Sequence, residues 1–169
     1  MAQALFISRK DLVRHTTVNG NLDVDKYVQY ILIAQDIHLQ NYLGTDLYTH
    51  IEGLIEAGTL GNFADYETLV EKYCKPALIH WAMVEFLPFG AYSIANKGIY
   101  KRTSENAQNV DKQEIDFLIE KERNTAQYYT NRLIDYLTYN APSKFPQYYT
   151  STNADITPDG TADFGGWVL

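Results

Sequence analysis

One cysteine, four histidines, two tryptophans and five prolines leave little room for several kinds of chemistry in a chain of 169 residues. A single thiol, Cys74, permits no internal disulfide. It falls inside an apolar helical pattern, where a buried, inert thiol is the ordinary outcome. The histidines, His15, His38, His50 and His80, include no pair at the i,i+4 spacing of a zinc-binding helix and no His-Glu-x-x-His sequence. His80 and Glu85 lie on one helix but about 140° apart around its axis, too far round to share a ligand. Basic residues are also scarce, 14 Lys+Arg against 21 Asp+Glu, for a formal charge of −7. That balance speaks against general nucleic-acid binding, which needs a basic footprint, but not against a protein that surrounds DNA without gripping it. No run approaches the ~18 apolar residues needed to span a membrane. Arg9 and Lys10 follow the short apolar patch Leu5-Phe6-Ile7, the wrong order for a signal peptide. A Gly-rich phosphate loop is missing, and Asn153, Asp155, Asp159 and Asp163 lack EF-hand spacing. Glu67 and Glu71 read as a solvated acidic face with Lys75 continuing the row. The expectation is a non-enzyme with no cofactor and no metal.

What the chain has in excess is tyrosine, 14 residues. Tyrosine offers large contact area at low rotamer cost with a polar tip, which suits subunit interfaces; carbohydrate binding is the rival use. Apolar content of 46% supports one domain with a real core.

The periodicity predicts a mainly α fold of four-helix-bundle type with a long C-terminal helix. Ser8 caps a brief helix over 10–15, and Asn19-Gly20-Asn21 marks a turn. Asp23 opens the first long helix, whose stripe runs through Ile31, Leu39 and Leu43 to a stop at Gly44. Thr45 caps the second helix, which ends near Gly58. The third runs from about Phe63 to Leu87, with Pro76 forcing a kink near Lys72–Tyr73 or a break, and Pro88 closing it. The fourth starts near Asp111, continues for about 30 residues as a spine for the others, and ends at Asn140-Ala-Pro142. Residues 144–149 are expected to be extended. The predicted core is Ile31, Leu39, Leu47, Ile51, Val70, Leu78, Trp81, Leu118, Leu133 and Leu137.

Two stretches break the helical period. Residues 89–110 form an excursion, either an extended loop or a β-hairpin in which Ala91–Ala95 and Gly98–Arg102 flank Asn96-Lys97. They carry Lys97, Lys101 and Arg102 in a chain of opposite overall sign, which suits an arm reaching an acidic neighbour. Residues 151–169 form a C-terminal arm beyond a helical domain of residues 1–150. The arm is polar up to Phe164 and then ends on Gly165-Gly166-Trp167-Val168-Leu169, a joint with a terminal apolar anchor. Such an anchor either docks on a neighbouring chain or folds back as a lid on its own. The expected interface residues are therefore Lys97, Lys101, Arg102, Tyr148, Tyr149, Phe164, Trp167 and Leu169.

Several stretches resemble one family. They are the corner Ile37-His-Leu-Gln-Asn-Tyr-Leu-Gly44-Thr-Asp-Leu-Tyr48, then Asn96-Lys-Gly98, Arg102-Thr-Ser-Glu-Asn106, and Glu122-Arg-Asn-Thr-Ala126. Over about residues 5–140 the chain resembles the head–tail connector (adaptor, or neck-ring) proteins of tailed bacteriophages, most of all those of crAss-like phages. The resemblance implies a homo-oligomer, commonly a dodecameric ring, between the portal protein and the next neck or tail protein in the virion. It also implies a channel through which genomic DNA passes without sequence-specific binding. Residues 89–110 and 141–169 would then touch the portal or neighbouring subunits. The alternatives are another virion assembly or tail-completion module, and a small helical enzyme with an unrecognised site.

Overall fold

A computed structural model of the chain describes residues 3–16, 25, 27–90, 92–95, 98–101 and 111–161, with only the backbone for the strands within 92–101. The fold is mainly α-helical. Helix α1 (Arg9–His15) begins with a capping box: Ser8 Oγ accepts from the Asp11 N–H, and the Asp11 carboxylate accepts from the Ser8 N–H. Helix α2 (Val28–Ala34) passes through a π-helical turn (Gln35–Leu39) into α3 (Gln40–Leu43). The expected start at Asp23 lies outside the described residues. Gly44 ends this rod at φ +74°, and α4 (Thr45–Glu56) follows at once. Thr45 is not its cap: it is already the first helical residue, and its hydroxyl is engaged by the C-terminal arm.

Helix α5 (Ala64–Leu69), a second π-helical turn (Val70–Cys74) and α6 (Lys75–Gly90) make the next rod. The interruption falls where Pro76 predicts it. Proline has no N–H to give and crowds the carbonyl one turn back. The Lys75 N–H bonds to Val70 O, one residue further back than in an α-helix, so the widened turn absorbs the mismatch and the rod continues. Pro88 does not close the helix. It loses one hydrogen bond in the last turn while its fixed φ remains helical, and α6 runs on to Gly90. Pro142 behaves the same way in α7 (Lys112–Lys144), which ends at Lys144. The next residues are not extended: Phe145 is fully buried against Tyr66 and Tyr136, and this pulls Pro146–Tyr149 into a 3-10 turn.

Strands β1 (Tyr92–Ala95) and β2 (Gly98–Lys101) pair antiparallel with Ala95 opposite Gly98, the hairpin form of the expected excursion. Asn96, Lys97 and residues 102–110 lie outside the described set.

The spine is α6, not α7. Ala77, Leu78, Ile79, Trp81, Ala82, Met83 and Val84 are all buried, so α6 is apolar around most of its circumference. It packs on α7 along one side and on α2 along another. Helix α7 instead contributes one stripe, Ala126, Thr130, Leu133, Leu137 and Ala141. Nine of the ten predicted core residues are buried; Leu118 is 45% exposed, although the next residue, Ile119, packs against the core.

Candidate assembly surfaces

Asp111 and Glu114 open α7 with a capping box, each side chain accepting from the other's N–H. From Lys112 to Thr125 no residue of the helix is buried. That is fourteen positions, about 21 Å at 1.5 Å per residue. The apolar stripe does not stop where burial stops: Ile115, Leu118 and Ile119 continue the line of Ala126 and Leu133. A second row faces fully outward. Phe117, Tyr128 and Tyr139 are 65%, 61% and 85% exposed. They recur every eleven residues, three turns and about 20°, so all three lie on nearly one face. The sequence carries that spacing plainly, but a search for 3-4 periodicity passes over it.

The arm lies on its own chain as far as Asp159. It caps the corner between α3 and α4. The Thr45 N–H donates to Ile156 O (2.9 Å), and the Ile156 N–H donates back to Thr45 Oγ1 (3.1 Å). Thr45 Oγ1 in turn donates to Asp155 Oδ2 (2.9 Å). Asp46, in the first turn of α4, accepts from the Thr152 N–H (2.9 Å), the Thr152 hydroxyl (2.8 Å) and Asn153 Nδ2 (2.8 Å). The Asp159 N–H reaches Asn41 O (2.9 Å), and Pro158 covers Gly44. Residues 151–159 therefore follow the fold-back arrangement rather than a free arm.

The neighbouring Thr150 hydroxyl, then the Thr152 N–H and hydroxyl, pull the Asp46 carboxyl down to about 2. A carboxyl held below its unfolded value stabilises the docked arm above that unfolded value, near 3.8, and ceases to do so as pH falls through about 2. The clasp is expected to stay closed at pH 5 and above and to loosen between about pH 4 and 2. Chemical shifts of the Thr152 amide and the Asn153 side-chain amide will follow it. Shifts that stay constant over that range would show that the Asp46 charge does not hold the arm.

Two histidine–glutamate pairs join helices. His38 Nε2 lies 2.9 Å from Glu85 Oε1, and the imidazole stacks on Trp81 at 3.9 Å between centroids. Trp81 Nε1 donates to Thr130 Oγ1 at 2.9 Å, which extends the connection to α7. Burial lowers the His38 pKa despite the carboxylate beside it, so the neutral ring is the resident form at pH 7. His80 Nδ1 lies 2.7 Å from Glu122 Oε2, with its ring stacked on Tyr129. The partners are 47 and 42 residues apart, a separation that no local motif records. A cleft of about 310 Å³ beside His80 is lined by His15, Lys75, Glu71 and Asp11 among others. Lys75 there is held by Glu71 at 2.6 Å and Asp11 at 3.9 Å. These pairs pin elements together. Burial pushes the Cys74 thiol far up, away from the thiolate. Among the described residues there is no group of three or more His, Cys, Asp or Glu placed to hold a metal ion. No described helix is long and apolar enough to cross a membrane.

Of the expected interface residues, Tyr148 is half-buried against the core, while Tyr149 beside it is exposed. Lys101 closes β2. Its side chain, together with Lys97, Arg102, Phe164, Trp167 and Leu169, lies outside what is described. The structure thus brings Tyr148 and Tyr149 together and reveals the outer row of α7, which the sequence reading missed.

The chain belongs to a family described as "Family of unknown function (DUF6712)", whose model matches residues 39–158. That span begins one residue before α3 and ends at Pro158, so Asn41, Thr45 and Asp46 and their arm partners from Thr152 to Ile156 fall within it, while Asp159 lies just outside. No curated protein and no solved structure matches the chain.

Proposed function

We propose that this chain is a structural subunit of a phage virion neck. In this reading its copies form a ring, dodecameric by the resemblance drawn above, between the portal protein and the next neck or tail protein. The ring extends the DNA channel, and its net negative charge lets DNA pass without adhering. Four rods of the fold, α2–α3, α4, α5–α6 and α7, then serve as a bundle of four-helix type. The observation that carries the proposal is the first half of α7: about 21 Å of well-capped helix with Phe117 and Leu118 turned to solvent. Large exposed apolar side chains on a regular helix fit a surface that another subunit covers. Tyr139 and Tyr149 add exposed aromatic area of the kind that dominates subunit contacts. The proposal assigns Phe164, Trp167 and Leu169 to a neighbouring chain.

Light scattering and symmetry-averaged electron microscopy of the purified full-length protein test this. The expected result is a closed ring with a central channel. A compact monomer at every concentration up to the millimolar range would overturn the reading.

A further inference from the structure

We infer that the exposed apolar face at the start of α7 docks on the outer face of α1 in a second copy of the chain. This rests on the reading that copies of the chain assemble with one another. Each surface is a shallow groove with an apolar centre and a charged frame, and the frames are of opposite sign. At the start of α7, Phe117 and Leu118 line a groove of about 470 Å³ with Asp111, Gln113 and Glu114. From Asp111 to Glu120 the helix carries four acids against one lysine. On α1, Val13, 37% exposed, sits between Lys10 and Arg14 in a groove of about 570 Å³. Helix α1 carries three cationic residues against one acid, and that acid, Asp11, is turned to Ser8 and Lys75. A basic surface is out of character for a chain of net charge −7, and the acidic frame of α7 is its natural complement.

The two surfaces do not serve each other within one chain. Helix α1 sits on α6 near Lys75, and its last residue, His15, shares a cleft with Tyr129 of α7. Phe117 is twelve positions before Tyr129 on α7, about 18 Å away along the helix axis. Two different surfaces that match only between copies make a head-to-tail contact. Repetition of such a contact closes into a ring when the rotation permits.

The test is a charge exchange in the full-length protein, followed by sedimentation at low and high salt. One variant carries Lys10→Glu and Arg14→Glu. The other carries Gln113→Lys and Asp116→Lys, which leave the Asp111–Glu114 capping box intact. Each alone should weaken self-association by about tenfold or more, while salt weakens the wild type. Mixing the two variants, or combining all four changes in one chain, should restore it. Phe117→Ala gives an independent arm: it removes an exposed side chain, so the fold stays intact by circular dichroism while association weakens. The inference is overturned if wild type assembles and the charge variants assemble equally well. It is equally overturned if only the α7 variant is impaired, or if the complementary mixture fails to recover. A wild type that stays monomeric instead overturns the assembly reading and, with it, this contact.

Discussion

Replacing Gln35 by leucine is expected to destabilise the fold by about 3–5 kcal/mol, although leucine is close in size and more apolar. Gln35 is fully buried within the π-helical turn between α2 and α3. Its Oε1 accepts from the Phe6 N–H at 2.9 Å, and its Nε2 donates to Ala4 O and to the Tyr48 hydroxyl, both at 3.1 Å. One side chain thus supplies strand-like partners to an N-terminal segment that pairs with no strand among the described residues. It holds Phe6 and Ile7 in the core, with Phe6 stacked on Tyr48 at 5.1 Å. Leucine leaves the Phe6 N–H buried without an acceptor, at about 1–3 kcal/mol, and the Ala4 carbonyl and Tyr48 hydroxyl lose a partner as well. The added apolar area returns only about 1 kcal/mol. Gln35→Glu keeps an acceptor for Phe6 but loses the donor toward Ala4 and buries a charge, so it should not rescue. Urea unfolding with an unchanged m-value is the measurement. A loss below about 1 kcal/mol would mean that the N-terminal segment is held by its apolar side chains alone.

That glutamine also shows what the sequence makes legible. The stripe through Ile31 and Leu39 identifies the helix and its buried face, and Gln35 stands on that stripe as an apparent exception. Its reason is a segment 29 residues earlier in the chain, which no periodicity records. The same holds for His38 with Glu85 and His80 with Glu122, whose pairing depends on how α6 lies between its neighbours. Local signals fared better. Ser8-x-x-Asp11 and Asp111-x-x-Glu114 cap their helices as written, and Gly44 ends its rod because only glycine takes that backbone. Prolines act in the opposite direction: Pro88 and Pro142 read as stops, but each stands in a last turn where one lost hydrogen bond is tolerated. Helix length alone suggested α7 as the spine. Length and burial part company in α7, whose first half has polar residues on most sides and no buried residue.

Gly44→Ala is expected to cost about 3–5 kcal/mol in the full chain, and its origin can be divided by experiment. At φ +74° and ψ 156°, Gly44 occupies backbone space that side-chain-bearing residues avoid. Forcing alanine there costs about 1–3 kcal/mol wherever the arm lies. The rest comes from the arm. A Cβ on Gly44 would stand 2.6 Å from both Cδ and Cγ of Pro158, well inside contact distance. The proline ring cannot simply retreat, because Ile156 on one side is bonded to Thr45 and Asp159 on the other to Asn41. Relief therefore means opening the clasp. In a chain ending after Thr150, Gly44→Ala should cost only the backbone part, about 1–3 kcal/mol. Pro158→Gly in the full chain should recover a similar share, giving a coupling of about 1–2 kcal/mol in the double-mutant cycle. Equal losses in the full and shortened chains would show that the arm yields freely at Pro158, and that its hold on the corner lies in Asp46 and Thr45 instead.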